Sequence, residues 1–392
     1  MVEVTRWRNA VFVIFAICGI GMASWVARGP AVRDALGATT LQMGLLLFGI
    51  AVGSIAGLLA SGHLVERFGA ARVIRFALPL GAVGFIAAGL TVTLPLGFVF
   101  AIAGLIVFGV GFSITDVAMN VSGAANERAL GRAIMPVFHA FFSFGTVVGA
   151  GLGALAELAG LPLAIHIPVI GVLVAVTGIL APRYLGREVP ETSEADVAPS
   201  TFRNRLSIWR DPRTLLIGLI ALGMAFAEGS ANDWLALTVV DGLGTSNTIG
   251  TLVFGIFVAS MTVGRLGGVR LLDRFGRVPV LRVSAVLAIV GLVLFIFVPN
   301  LGVAIVGVVL WGLGASLGFP VAMSAAADDP RTAAARVSAV ATIGYFAFLV
   351  GPPAIGLLGE HFGLLRGLLL VLVLVTIAGL ASGAAREKNT AT

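Results

Sequence analysis

The sequence predicts an all-α membrane protein, with twelve transmembrane helices in two pseudo-symmetric six-helix bundles. Three observations carry this expectation. Of 392 residues, 58% are hydrophobic and only 11% charged, against about a quarter charged in soluble proteins. Apolar runs recur twelve times along the chain, each near the roughly 20 residues needed to cross a bilayer core. The last six runs echo the first six. A membrane barrel is disfavoured, because its strands would alternate within short segments rather than run continuously apolar.

In order, the apolar runs cover 10–29, 41–61, 73–93, 96–122, 133–156 and 162–182, then 214–238, 248–267, 279–298, 301–326, 335–358 and 363–383. The chain therefore divides into a bundle over 1–182, a linker over 183–213 and a second bundle over 214–392. The linker, "RYLGREVPETSEADVAPSTFRNRLSIWRDPR", is rich in charge, Pro, Ser and Thr and reads as a flexible connection. Within it Phe202, Leu206 and Trp209 recur at helical spacing, as in a short interfacial helix. The first run follows Arg6 and Arg8 and imitates a signal peptide, but with eleven runs after it a retained first helix is the expectation.

Charge sets the expected orientation. The chain holds 24 arginines and one lysine, and nearly all fall in alternate connections; Arg28, Arg33 and Arg366 are the exceptions. Cationic residues stay cytoplasmic during insertion, so both termini are expected on the cytoplasmic side of the cell (inner) membrane. A pI near 10.8 of this origin argues topology and no nucleic-acid partner. Cys18 stands alone and can form no internal disulfide.

The halves match residue by residue. "GHLVERFGAARV" (62–73) follows the second run and "VRLLDRFGRVPV" (269–280) the eighth, with Glu66 facing Asp273 in the alignment. "LFGI" (47–50) matches "VFGI" (253–256), "GMA" (21–23) matches 223–225, and "VAM" (117–119) matches 321–323, all at offsets between 202 and 207.

Six plus six spans, with G-x-L-x-(D/E)-R-x-G between the second and third of each half, resemble the major facilitator superfamily over essentially the whole chain. Gly62, Leu64, Glu66, Arg67, Gly69 and Arg72 supply the first copy; Leu271, Asp273, Arg274, Gly276 and Arg277 supply the second, with Val269 in place of its first glycine. An acid and arginines at helix ends can bind across halves and to helix carbonyls, so Gly62, Glu66, Arg67, Arg72, Asp273, Arg274 and Arg277 are the expected cytoplasmic gate. The alternative is that the arginines only enforce orientation. Glu127, Arg132, Asp328, Asp329 and Arg331 are grouped with that gate.

Within the superfamily, 116–154 and 318–363 are similar to a bacterial group of YbjJ type near the fucose–proton symporter branch. In that branch an acid on the fourth helix takes part in proton coupling, and Asp116 matches it. The branch's acid on the first helix has no counterpart here. The drug-antiporter glycine series on the fifth helix lacks its proline, although "GPPAIG" (351–356) lies on the eleventh.

A carboxylate in hydrocarbon costs at least about 2.5–3.5 kcal/mol, so Asp116 is expected to face water, find a partner or take up a proton. His139 is placed at comparable depth on the fifth span, with Asn120 and Ser143 one turn from each; a static Asp–His hydrogen bond is the alternative. Glu228, deep in the seventh span beside Gly229–Ser230, is the second proton candidate, with Asn232 one turn on. Arg28 and Asp233 align across the repeat and suggest an external latch, a grip on a polar substrate, or merely solvated helix ends. Trp25 and Trp311 are candidate stacking surfaces for a flat ligand or interfacial anchors. His166 reads as a core residue. Glycines at 49, 53 and 57, and at 145, 149 and 153, allow close helix packing. The resembled fold places such helices across the two halves.

No catalytic constellation, metal spacing or phosphate loop is seen, and no cofactor is expected. The reading is a secondary transporter, expected as a monomer, whose partners are the lipid bilayer, protons and a small-molecule substrate. Proton-coupled uptake of a small polar or sugar-like solute leads; efflux of an amphipathic compound or drug is the alternative. A transporter-derived sensor without flux is the third reading.

Overall fold

Long apolar segments become helices here because lipid offers no partner for backbone amides, leaving i to i−4 bonding as the local solution. A computed structural model describes residues 2–95, 97–131, 134–186, 208–328 and 332–387. The described helices are α1 (Val2–Ala27), α2 (Gly29–Leu36), α3 (Thr40–Phe68), α4 (Ala70–Thr91), α5 (Gly97–Leu130), α6 (Met135–Leu158) and α7 (Leu163–Leu180). They continue as α8 (Pro212–Leu243), α9 (Asn247–Phe275), α10 (Arg277–Phe297), α11 (Leu301–Ala315), α12 (Gly318–Ala326), α13 (Ala333–Phe362), α14 (Leu364–Gly367) and α15 (Leu369–Ala381). Twelve spans among the described residues are long and apolar enough to cross a membrane. The tenth is split between α11 and α12, the twelfth between α14 and α15.

The starts follow from capping chemistry. Thr39 Oγ1 accepts the Gln42 amide at 3.3 Å while Gln42 Oε1 accepts the Thr39 amide at 2.9 Å, a reciprocal box at the start of α3. Asp211 caps α8 through Thr214, and Asn300 caps α11 through Val303.

Several helices outrun their apolar runs. α5 has 34 residues, about 51 Å at 1.5 Å per residue, against a core of roughly 30 Å. The G-x-L-x-(D/E)-R-x-G motif consequently lies on helix ends, not in loops. α3 stops only at Gly69 and α9 only at Gly276, whose φ values are 78° and 77°. That left-handed region suits glycine and permits a one-residue reversal.

The described residues divide into two compact units. Unit 1 comprises Met1–Glu191 and Thr245–Gly255; unit 2 comprises Thr192–Gly244 and Ile256–Thr392. In unit 1, α5 packs along α3 and α4, α1 along α6, and α4 along α7. The first turns of α9 join it, with Asn247 Nδ2 donating to Asp34 Oδ2 at 2.8 Å and Thr251 Oγ1 to the Ala27 carbonyl at 2.7 Å. In unit 2, α10 packs along α11, and α8 along α13 and α15.

Packing repeats with the sequence. A Cβ on Gly111 would strike the Ala77 carbonyl and the Gly81 amide; one on Gly314 would strike the Ser284 carbonyl and the Ala288 amide. Each partner in unit 2 lies 207 positions after its counterpart in unit 1. The glycine stripes also close contacts inside a unit: Gly53 and Gly57 abut α5 at Ile106 and Val110, while Gly145 and Gly149 abut α1 at Ala16 and Ile20. The glycine faces expected between halves are thus occupied by neighbours within unit 1.

Candidate functional site

Asp116 lies about midway along α5, on the side not covered by α3 and α4, and its side chain is exposed. Thr115, Ala118, Met119 and Ser122 point into the bundle instead. One turn on, Asn120 Nδ2 donates to the Asp116 carbonyl at 2.8 Å and lies 3.5 Å from Oδ1. Asp116 makes no ion pair among the described residues. His139, on α6, is exposed, and its ring stands edge-on to Phe15 at 5.2 Å between centroids. Ser143 is buried and does not extend the polar strip. Aromatic rings pack among the same helices, with Phe12 stacked on Phe141 at 4.3 Å and Phe108, Phe112 and Phe142 in succession.

In unit 2, Glu228 sits at the middle of α8 and has a partner that the sequence does not suggest. Arg265 Nη2 donates to Glu228 Oε1 at 2.9 Å. Charge counting groups Arg265 with the cytoplasmic residues, but α9 carries it within a membrane span. The reason the site forms here is local. Pro320 has no N–H to give the Ser316 carbonyl four residues back, and the helix breaks between Ala315 and Gly318. The freed carbonyl accepts from Arg265 Nε at 3.5 Å. The offset of 204 that aligns Val117–Met119 with Val321–Met323 puts this proline in register with Asp116. An acid in one unit and a helix break in the other occupy equivalent repeat positions. Asn232 and Asp233 follow on α8, both partly exposed, and Asp233 has no ion pair among the described residues.

Several expected contributors are engaged elsewhere. Trp25 is 3% exposed with its ring against Phe85, and Trp311 is fully buried between Phe257 and Phe295. Both indoles therefore sit in aromatic packing rather than on an open stacking surface. Arg28 is buried within unit 1 rather than a solvated helix end. Its Nε lies 3.0 Å from Glu157 Oε2, its Nη2 donates to the Leu161 carbonyl at 2.9 Å, and the residue is 4% exposed. Burial pushes its pKa down from the ordinary value, opposed by the Glu157 charge. His166 is buried as a core residue.

At the Arg-rich ends, Gly62, Glu66, Arg67, Arg72, Asp273 and Arg274 are exposed. Arg67 and Arg274 lie over Phe68 and Phe275 alike, each 5.3 Å from the ring centroid. Arg277 is drawn into its own unit: Nη1 meets Asp328 Oδ1 at 2.6 Å, while Arg213 Nη2 meets Oδ2 at 2.7 Å. Glu127 also has an intramolecular task, since its Oε2 accepts the amides of Ile134 and Met135 at 2.6 and 2.7 Å and caps α6. Arg132, Asp329, Arg331, Phe202 and Leu206 lie outside the described residues. Among the described residues no His, Cys, Asp and Glu cluster could hold a metal ion.

Comparison with known proteins places this geometry in context. A family model of the Major Facilitator Superfamily matches residues 10–352 and 231–389. An uncharacterised MFS-type transporter of Yersinia pestis is 33% identical over 375 residues, 95% of this chain and 94% of that relative. The crystal structure of a single-residue mutant of the nucleoside transporter NupG superposes with a TM-score of 0.79 at 14% identity, covering 98% of this chain and 100% of that one. A single-residue mutant of the E. coli fucose:proton symporter FucP gives 0.68 at 14% identity, covering 98% and 100%. At such identities the structures speak to fold alone.

Proposed function

Because the chain belongs to the major facilitator superfamily, we propose that this multi-pass membrane protein is a secondary active transporter coupling proton entry to uptake of a small polar solute. The observation that carries the reading is Asp116, an exposed mid-span acid with Asn120 beside it and no countercharge among the described residues. A charged carboxylate resists transfer into a dry environment, whereas its protonated form crosses at much lower cost. Proton binding therefore permits reorientation, and proton release on the other side resets the cycle. His139 is the proposed relay on the neighbouring helix.

Unit 2 supplies the polar grip in this scheme. Glu228 and Arg265 neutralise one another, so the net charge carried there is small, and the broken tenth span offers backbone groups beside them. Asn232 and Asp233 extend the polar surface along α8. Hydroxyl-rich solutes suit such a mixture of donors and acceptors. NupG, a nucleoside transporter, and FucP, a fucose:proton symporter, handle solutes of that chemical class. We assign 1–182 and 214–392 as the two rocking bundles, 183–213 as their linker, and both termini to the cytoplasmic side of the inner membrane, following the arginine distribution. Glu66, Arg67, Arg72, Asp273 and Arg274 remain the proposed gate surface, whereas Arg277 acts first as a tie within unit 2.

The test is counterflow and uphill uptake in proteoliposomes, with sugars, nucleosides and organic acids offered at two pH values. Asp116→Asn is expected to abolish uphill accumulation while leaving exchange of solute across the membrane. Accumulation driven by a proton gradient in Asp116→Asn at the wild-type level would refute the coupling, and outward pumping of an amphipathic compound would replace uptake by efflux.

A further inference from the structure

At its Arg-rich end α1 has two different faces. One is fixed to α5: Asn126 Nδ2 donates to the Val4 carbonyl at 3.1 Å and Trp7 Nε1 to Ser122 Oγ at 2.9 Å. The other carries Arg6, Asn9 and Val13, one turn apart and all exposed. Facing them, α7 and the turn after it present Val176, Leu180 and Tyr184, also exposed. Together these side chains line a groove of roughly 660 Å³ within unit 1.

The order of chemistry along the groove is informative. Arg6, Asn9 and Tyr184 mark the end where the span leaves the hydrocarbon. Arg8 reinforces it, donating to Asn9 Oδ1 through Nε and Nη2 at 3.2 and 3.0 Å, and Arg183 is exposed in the adjoining turn. Glu3, one turn before Arg6, is the acid nearest in sequence and lies further out along α1. Deeper in, Val13, Val176 and Leu180 leave an apolar trough, continued along α7 by exposed Val169, Val172 and Leu173. A soluble anion has no use for that trough, and a neutral lipid has none for three arginines.

We propose that this groove binds an anionic phospholipid, its phosphate at Arg6 and Tyr184 and an acyl chain along Val13 and Val176. Basic pockets between spans suit such headgroups, and aromatic and basic side chains favour this depth. That the leaflet is the cytoplasmic one rests on the orientation proposed above; binding itself does not.

Native mass spectrometry of the purified full chain in detergent tests this, with phosphatidylglycerol and phosphatidylcholine offered at equal concentration. Phosphatidylglycerol is expected to be retained several-fold better, with the preference falling at least threefold in Arg6→Gln and as salt rises. Val176→Trp, which fills the trough from an exposed position, should reduce retention of both lipids and covers the case in which Arg6→Gln fails to fold. Equal retention of the two lipids overturns the proposal, as does a preference untouched by both substitutions. So does full competition by glycerol phosphate, which lacks an acyl chain. A groove filled by the chain's own segment 187–207 would be indifferent to lipid identity and counts against it too. A reporter fused to the C-terminus tests the orientation separately, so either reading can fail alone.

Discussion

Arg265 Nη2 lies 2.9 Å from Glu228 Oε1, joining α8 to α9 at mid-span in unit 2. Removing one partner leaves the other charged and uncompensated at mid-span, and because the pair is partly exposed the cost falls below the roughly 3–5 kcal/mol of a fully buried pair. Glu228→Gln and Arg265→Gln should each lower thermal stability in detergent. The double substitution should recover more than half of the loss, because no orphan charge remains. Additive losses in the double variant would show that the two side chains act independently.

Glu127 illustrates a different arrangement, with one carboxylate oxygen serving two backbone amides, those of Ile134 and Met135. The amides at a helix start have no partner inside the helix. Glu127→Ala is therefore expected to lower stability and to speed amide exchange in the first turn of α6. Glu127→Gln, which keeps an acceptor, should fall between. Unchanged exchange at 134–138 in the alanine variant would rule out the capping role.

The architecture was largely legible because lipid imposes one signal, long apolar runs, and duplication repeats it. Gly69 and Gly276 sit 207 positions apart with φ of 78° and 77°, so the motif read in the sequence corresponds to a matched turn. The site was legible only in part. Asp116 and Asn120 are one turn apart on one helix, so local spacing places them side by side. The partner of Glu228 lies 37 residues away on another helix, and Arg265 was hidden among the many arginines at the ends of the apolar runs. One signal was available: Pro320 inside an apolar run marks a carbonyl without its usual donor. The burial of Trp25 and Trp311 was not legible, because an indole in a span is equally a packing residue and burial cannot be read from type alone.

Two glycines differ in how closely they are packed. A Cβ on Gly62 would meet nothing, whereas one on Gly111 would strike backbone atoms of α4. Alanine favours a helix interior over glycine by about 1 kcal/mol, so Gly62→Ala should hold or raise thermal stability. Gly111→Ala should sharply reduce monodisperse protein on size exclusion. A Gly62→Ala variant that is stable yet slow in transport would support the gate role proposed for the motif. Equal damage at both positions would deny the difference in packing.

Asp211 gives a pH dependence outside the membrane. Burial alone would raise its pKa, but the Thr214 hydroxyl and amide and the Arg336 guanidinium, 3.1 Å away, hold it below the ordinary 3.8. A carboxyl depressed by folding contributes stability above its unfolded pKa, and that contribution is lost as pH falls through the folded value. Asn keeps the capping oxygen without the charge, whereas Ala loses both, at about 1 kcal/mol. At pH 6 the expected order of thermal stability is wild type, Asp211→Asn, then Asp211→Ala. Below about pH 4 the wild type should converge on Asp211→Asn, while Asp211→Ala stays lower. Comparing variants at each pH cancels the titration of other carboxyls, so the convergence isolates this one group. A gap between wild type and Asp211→Asn that persists unchanged at pH 3 would mean that the ion pair with Arg336 contributes nothing to holding α8 in place.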